Sequence, residues 1–244
     1  MDEGWTRFIF ERQRCFTFES VDTRQIKQAI PRNTGYLVFA DQSANQILNG
    51  YAPGTMPAEY VGGLGREGVE NLKKFVEAGG TLVFLNRSSQ FAIEQFNLPV
   101  RDVTRGLTRK DFYIPGSILR TELDTIHPIA KGMPQQSIAW FENSPAFELS
   151  EPPASAGGQS RNSPNWPAAN AAGSDKIRII ARYPTDPKQI LLSGWALGAE
   201  KIAGKAALVE FTIGKGKIVL FGFRPQYRGQ SLATFPLLFN AISQ

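Results

Sequence analysis

Few side chains in this sequence are able to do chemistry, and their number already limits the reactions available. The chain has one histidine, His127, and one cysteine, Cys15, among its 244 residues. A single cysteine allows neither an intrachain disulfide nor a thiolate zinc cluster. A catalytic zinc usually takes three protein ligands and commonly two histidines. We therefore expect no metal site and no cofactor, and at most one histidine-based triad.

The stretch TLVFLNRSSQF, residues 81–91, is the natural place for a nucleophile, because it predicts a buried strand followed directly by a helix. A nucleophile elbow is a strained turn that needs small residues two positions before and after the nucleophile. Around Ser88 these positions hold Asn86 and Gln90, and the residues around Ser89 are no better suited. We therefore interpret Ser88 as the N-cap of the helix.

His127, the single histidine of the chain, is the side chain that could serve as the general base for a serine nucleophile. Pro128 follows it and favours extended backbone at the histidine, which predicts a fixed loop and a structural role. The alternative is a hydrolase in which Ser88 or Ser89 is the nucleophile and His127 the base. That alternative requires a hydrogen bond between one of the serines and the histidine.

Polar side chains follow three strongly apolar segments of the chain. Loops at the carboxyl ends of neighbouring parallel strands converge on one edge of a sheet, where open α/β sheets bind ligands. Arginines there and the start of a helix favour an anion, so we expect a small anionic ligand. In the alternative, Asp41 neutralises an arginine and the network is purely structural. The predicted ligand-binding residues are Asp41, Gln42, Asn86, Arg87, Ser88, Arg224 and Arg228.

Composition and motifs argue against several other partners. The net charge of +5 is dispersed and its densest basic stretch, residues 101–110, has no interleaved aromatics, so we expect no nucleic acid partner. No apolar run is long enough to predict a membrane span, and residues 1–10 do not form a signal peptide. The G-x-G-x-x-G pattern at 63–68 lacks the preceding strand that a dinucleotide site needs.

The alternation of helices and strands predicts the fold class. Helix-like and strand-like segments alternate over the first 97 residues, which is typical of an α/β protein. We predict a single domain, residues 1–244, with an open, mostly parallel sheet, helices on both faces, a C-terminal β-hairpin and a closing helix. Residues 15–18 predict a short strand and residues 43–63 a long loop. Residues 150–175, rich in Pro, Ser, Gly, Ala and Asn, predict a flexible insertion.

Several long segments resemble one known family. They are MDEGWTRFIFE, GGLGREGVENLKKFVEAGGTLVFLN, PGSILRTELDTIHPIAKGMP, LLSGWALGAEKIAGKAALVE and GKGKIVLFGFRPQYRGQSLATFPLLFNA. Together they resemble the class I glutamine amidotransferase-like domain found C-terminally in bacterial proteins of the zinc carboxypeptidase (peptidase M14) family. The resemblance covers nearly the whole chain outside the 150–175 insertion.

The resemblance implies a flavodoxin-like fold and a larger, exported parent protein, but no catalytic residues in this chain. Amidotransferases of this class use an elbow cysteine with a downstream histidine and glutamate. The matching turn here holds Arg87 and Ser88, and Cys15 lies elsewhere in the sequence. We therefore expect a non-catalytic accessory domain that binds a ligand, a partner or the parent's catalytic domain. A small-molecule sensor with its site at the strand ends is a further alternative.

Overall fold

Six α-helices and ten β-strands make up the part of the chain that the computed structural model describes, which is residues 1–12, 17–150 and 176–243. The helices are α1 Asp2–Arg12, α2 Thr23–Gln28, α3 Ala44–Asn49, α4 Gly65–Glu77, α5 Ser89–Gln95 and α6 Phe235–Ala241. The strands are β1 Tyr36–Phe39, β2 Thr81–Leu85, β3 Val100–Asp102, β4 Pro115–Leu123, β5 Gln136–Glu142, β6 Phe147–Leu149, β7 Ile177–Arg182, β8 Leu191–Ser193, β9 Ala206–Ile213 and β10 Gly216–Phe221.

The strands form one mixed sheet in the order β1-β2-β10-β9-β7-β4-β5, with β3, β6 and β8 paired off this path. Among the strands of the described residues, only the pairs β1–β2 and β2–β10 are parallel. The α/β prediction is confirmed, but the prediction of a mostly parallel sheet is wrong. Parallel neighbours need a crossover connection, usually a helix. In the described residues, α-helices separate β1 from β2 and β2 from β3, whereas β3 to β10 follow one another without an α-helix.

Two hydrophobic cores lie on the two faces of this sheet. Side chains alternate along β2, so that Val83 and Leu85 enter one core and Leu82 and Phe84 the other. Helices α1 and α6 contribute to the first core, and α2, α4 and α5 to the second. The prediction of helices on both faces is therefore confirmed.

Local sequence signals explain where several helices begin. Asp22 accepts the N–H of Gln25 while the Gln25 side chain accepts the N–H of Asp22, which is a capping box before α2. Pro236 lies in the first turn of α6, where its missing N–H removes no helical hydrogen bond. The predicted C-terminal hairpin is formed by β9 and β10, which are joined by a turn at Gly214 and Lys215.

Two local predictions are wrong, and one lies outside the described residues. Residues 43–63 contain α3, which begins after an N-cap at Ser43. Residues 17 and 18, the described half of the predicted strand at 15–18, have no strand structure. Of the predicted insertion 150–175, only Ser150 is described; its backbone N–H donates to the carbonyl of Pro99.

Candidate functional site

The turn between β2 and α5 has the backbone form of an elbow, and its strained residue is Asn86. Asn86 has φ of 56°, a left-handed conformation that is uncommon outside glycine and is often found at functional sites. It directly follows the last residue of β2 and is fully buried. The strained position thus holds an amide side chain, which is not a nucleophile, in place of either predicted serine.

Both serine hydroxyls are turned into the protein. The Ser88 hydroxyl donates to the backbone carbonyls of Leu85 and Phe39, at 2.8 and 3.0 Å. The Ser89 hydroxyl donates to the carbonyl of Phe221 at 3.2 Å. Ser88 occupies the N-cap position of α5, as predicted, but its side chain accepts no helical N–H and its backbone is itself helical. Both serines are fully buried and link the ends of neighbouring strands.

Asp41 organises the polar cluster at this end of the sheet. Its side chain is fully buried, and its Oδ1 accepts hydrogen bonds from the Asn86 amide and the Arg87 backbone N–H, at 2.9 and 3.0 Å. The guanidinium of Arg87 binds both carboxylate oxygens, and Arg224 Nη2 donates to Oδ2 at 2.7 Å. Four predicted site residues therefore meet here; they are Asp41, Asn86, Arg87 and Arg224.

Further carboxylates surround Arg224, which is itself only 8% exposed at its side chain. Its Nε lies 2.9 Å from Asp2 Oδ1, and Nη1 donates to the backbone carbonyl of Glu142 at 3.0 Å and lies 3.5 Å from its carboxylate. Two arginines thus face three carboxylates, from Asp2, Asp41 and Glu142, so the formal charge of the cluster is −1. Burial alone would raise the pKa of Asp41, but the hydrogen bond from Arg87 and the charge of Arg224 lower this pKa to about 2.

The remaining predicted residues are not part of this cluster. Gln42 is half-buried beside it, and no hydrogen bond of its side chain is found within the described residues. Arg228 is exposed, has φ of 49° and lies over the ring of Tyr227, which stacks on Trp140 at 4.2 Å. Of the two arginines in this loop, Arg224 is therefore buried in the cluster and Arg228 is exposed to solvent.

A groove of about 430 Å³ lies beside the cluster and has Arg87 in its wall. Four regions of the chain supply the other polar side chains of its wall: α3, α5, the residues after β3 and the loop between β5 and β6. The sequence analysis missed most of these residues; the Ser43 N-cap was the one local signal that could have revealed α3. The groove is lined by Ser43, Ala44, Asn45, Leu48, Asn49, Arg87, Gln90, Glu94, Asp102, Thr104, Arg105, Asn143, Ser144 and Pro145.

Asp102 is the carboxylate in this groove that burial affects most clearly. Its Oδ1 accepts hydrogen bonds from the N–H and hydroxyl of Thr104 and from the N–H of Ala146. Burial raises the pKa of Asp102 above its ordinary value, although these hydrogen bonds and the charge of Arg105 act in the opposite direction. Its Oδ2 receives no hydrogen bond from any described residue, so one carboxylate oxygen is left for a ligand or water.

His127 has other partners than the serines. Its Nδ1 accepts the N–H of Ile129 at 3.2 Å, and its Nε2 lies 3.5 Å from Glu210 Oε1. Both ring nitrogens are therefore engaged, while both serine hydroxyls donate to backbone carbonyls. The structure does not form the Ser–His pair that the hydrolase alternative requires.

Comparison with known proteins finds similarity in structure only. No protein-family model matches the chain. The search of curated proteins found no match. Two solved structures of proteins from Salmonella typhimurium are similar to this chain. The cytoplasmic protein STM1381 superposes with a TM-score of 0.54 and 13% sequence identity, and the match covers 99% of this chain and 86% of STM1381. The cytoplasmic protein STM3548 has a TM-score of 0.52 and 12% identity over 98% and 84%.

These two likenesses show a shared α/β fold and nothing about activity. A protein described as a GMP synthase subunit from Thermoplasma acidophilum, whose fold is amidotransferase-like, is also among the structural neighbours. Its TM-score is 0.45, with 10% identity over 91% of this chain and 75% of its own. These neighbours give no support to the link to zinc carboxypeptidases.

Within the described residues, no group of three or more His, Cys, Asp or Glu side chains is placed to hold a metal ion. None of the described helices has the length and apolar character of a membrane span.

Proposed function

We propose that this chain is a non-catalytic binding domain on an amidotransferase-like, flavodoxin-related scaffold. We further propose, from the sequence resemblance, that it serves as the accessory domain of a larger bacterial protein related to zinc carboxypeptidases. The observation that carries the non-catalytic assignment is the elbow: Asn86 takes the strained position and its amide is bound to Asp41. An elbow enzyme needs a nucleophile at this position.

The groove beside Arg87 is the proposed ligand site. Arg87 binds Asp41 through Nε and Nη2. No hydrogen bond from Nη1 to a described residue is found, and the side chain is 47% exposed, so Nη1 is accessible to a ligand. Arg105 also lines the groove, where its Nη1 donates to Glu94. An anionic group of a ligand would bind these two arginines, and its hydrogen-bond donors would bind Asp102. The carboxylates of Asp102 and Glu94 in the groove would repel a bare anion. The expected ligand is therefore a small polar molecule that carries an acidic group together with hydrogen-bond donors.

Enzyme assays test the non-catalytic assignment. The purified chain is expected to show neither glutaminase nor carboxypeptidase activity, with or without added zinc, because the described residues hold neither an elbow nucleophile nor a three-ligand metal site. Turnover that disappears in Ser88→Ala or His127→Ala would overturn the assignment. Turnover that neither substitution changes would identify a contaminating enzyme, and a repeat after further purification is then expected to show none.

Thermal shift measurements test the groove. Citrate and acetate serve as anionic probes and glucose as a neutral one. A probe that binds only the folded state raises the melting temperature. We expect citrate to do so for the wild type and for Arg66→Ala, an exposed arginine on α4 outside the groove, but not for Arg105→Ala. Equal shifts in all three proteins, or none with any probe, would contradict binding in the groove.

A further inference from the structure

A second polar pocket of about 310 Å³ lies around His127, and neither the elbow nor the groove includes any of its residues. Strand register brings its floor together: Arg178 on β7 is opposite Glu210 on β9, and Thr212 on β9 is opposite Lys217 on β10. Residues that are directly opposite in antiparallel strands present their side chains on the same face. The pocket is lined by Asp124, Ile126, His127, Pro128, Arg178, Glu210, Thr212 and Lys217.

The buried carboxylate in this pocket is already matched. Glu210 is 5% exposed, and its two oxygens lie 3.5 Å from His127 Nε2 and 3.2 Å from Lys217 Nζ. Because His127 Nδ1 accepts the Ile129 N–H, the neutral ring carries its proton on Nε2, which faces Glu210. Burial raises the pKa of Glu210, but His127 and Lys217 outweigh it and hold this pKa below its ordinary value. The negative charge of Glu210 is therefore compensated within the protein.

Hydrogen-bond donors remain after this matching. The Arg178 side chain is exposed, and neither it nor the Thr212 hydroxyl has a hydrogen bond or ion pair with any described residue. On the acceptor side, Asp124 Oδ1 accepts the N–H of Ile126, and no hydrogen bond to Oδ2 from a described residue is found. A guanidinium offers a fork of N–H groups that matches the oxygens of phosphate or carboxylate. The oxyanion end of a guest would therefore bind Arg178, and any hydrogen-bond donor that the guest carries would bind Asp124.

We propose that this pocket binds the oxyanion group of a small molecule through the Arg178 guanidinium and the Thr212 hydroxyl. The pocket volume is several times that of one water molecule, which is ~30 Å³. It therefore has room for a phosphate or carboxylate group with a short organic part, whose non-polar atoms would contact Ile126 and Pro128 at the lip.

Calorimetric titration with inorganic phosphate, glycerol 3-phosphate and acetate tests the proposal and separates the possible guests. At least one of these is expected to bind the wild type, and the strongest defines whether phosphate, its ester or a carboxylate is preferred. Arg178→Ala should weaken that binding at least about tenfold, because a charge-assisted, forked contact is lost. Thr212→Val should weaken it by a smaller factor. Arg66→Ala removes an exposed arginine outside the pocket and should leave it unchanged.

The proposal is independent of the groove beside Arg87, and the same titrations tell the two sites apart. Binding that survives Arg178→Ala but is lost in Arg105→Ala would place the oxyanion in the groove and overturn the proposal. No binding of any probe to the wild type at concentrations up to about 10 mM would also overturn it. Arg178 is exposed, so its replacement is not expected to unfold the chain; unchanged circular dichroism of Arg178→Ala confirms this.

Discussion

Asp41 is a buried carboxylate that several partners hold at once. Two arginines and the Asn86 amide donate to its oxygens, and its side chain has no exposed area. Removing the negative charge would leave Arg224, which is nearly buried, with fewer acceptors. Breaking a buried ion pair by removing one partner is strongly destabilising because the other charge stays uncompensated.

The stability of the protein should therefore depend on the ionisation of Asp41. Its pKa of about 2 lies below the ordinary 3.8, so the stabilisation is fully present above about pH 4 and is lost as the pH falls toward 2. A shift of this size corresponds to on the order of 2 kcal/mol. Chemical denaturation between pH 7 and pH 2 should show a smaller loss of unfolding free energy for Asp41→Asn than for the wild type. Glu67→Gln, an exposed position on α4, is the control; identical pH profiles for Asp41→Asn and the wild type would contradict the prediction.

The pKa of Asp102 is shifted in the opposite direction to that of Asp41, so its effect on stability also changes with pH in the opposite direction. Burial raises its pKa in the folded state, so its contribution to stability is greatest below its unfolded pKa of 3.8 and is lost as the pH rises through the folded value. Asp102→Asn keeps an oxygen to accept the three donors and removes the buried charge. We expect its unfolding free energy at pH 7 to equal or exceed that of the wild type, because the neutral amide has no charge to desolvate. Denaturant titration at pH 7 measures this, and a clear decrease would indicate that the ionised carboxylate has a stabilising partner.

At the scale of elements, the sequence was most informative where a strand passes directly into a turn. The apolar segments before Asp41, Asn86 and Arg224 predicted β1, β2 and β10, and the parallel arrangement of these strands brings the three side chains to one sheet edge. Their proximity is observed, whereas ligand binding there stays a prediction. The strain at Asn86 was not predictable from spacing, because the sequence marks the strand end without marking which residue takes a positive φ.

The elements that the sequence did not predict are short or depend on distant partners. Helix α3 has six residues and only one that is buried, Ile47, so it has no hydrophobic period to detect. The strands β3 and β6 have three residues each and pair with one another across 44 residues or more of chain. Helix α3 and the end of β3 form part of the groove wall, and loops form another part, so most of the lining residues could not be predicted from the sequence.

The β9–β10 hairpin offers a test of close packing between elements. A Cβ added at Gly216 would lie 2.2 Å from the backbone oxygens of Gly80 and Val76, and backbone atoms at the end of α4 cannot move aside cheaply. We expect Gly216→Ala to lower the unfolding free energy by about 2 kcal/mol or more. Gly35→Ala is the matched control, since nothing lies within 4 Å of its added Cβ. Denaturant titration compares the two, and equal stabilities would show that the hairpin is not packed as closely as described.

At the scale of the whole molecule, the two cores share the strands that separate them. Adjacent residues of β2 and β10 alternate between the cores, so neither core can lose these strands without exposing the other. The polar cluster adds a second connection, because Arg224 joins Asp2 at the start of α1 to Asp41 at the end of β1. The described part of the chain therefore has no apparent boundary at which one face could unfold alone.

Because the two cores share this sheet, we expect a destabilising substitution in either core to lower the free energy of unfolding of the whole described fold. Leu72 on α4 and Leu238 on α6 are fully buried in different cores. Each leucine-to-alanine change should lower the unfolding free energy by about 2–5 kcal/mol through lost contacts and the cavity left behind. Hydrogen exchange at increasing denaturant should then show α4 and α6 losing protection in one transition, in the wild type and in both variants, as expected for cooperative unfolding. If Leu72→Ala released α4 while α6 stayed protected, the two faces would be separate folding units, and the coupling through β2 and β10 would be too weak to bind them into one.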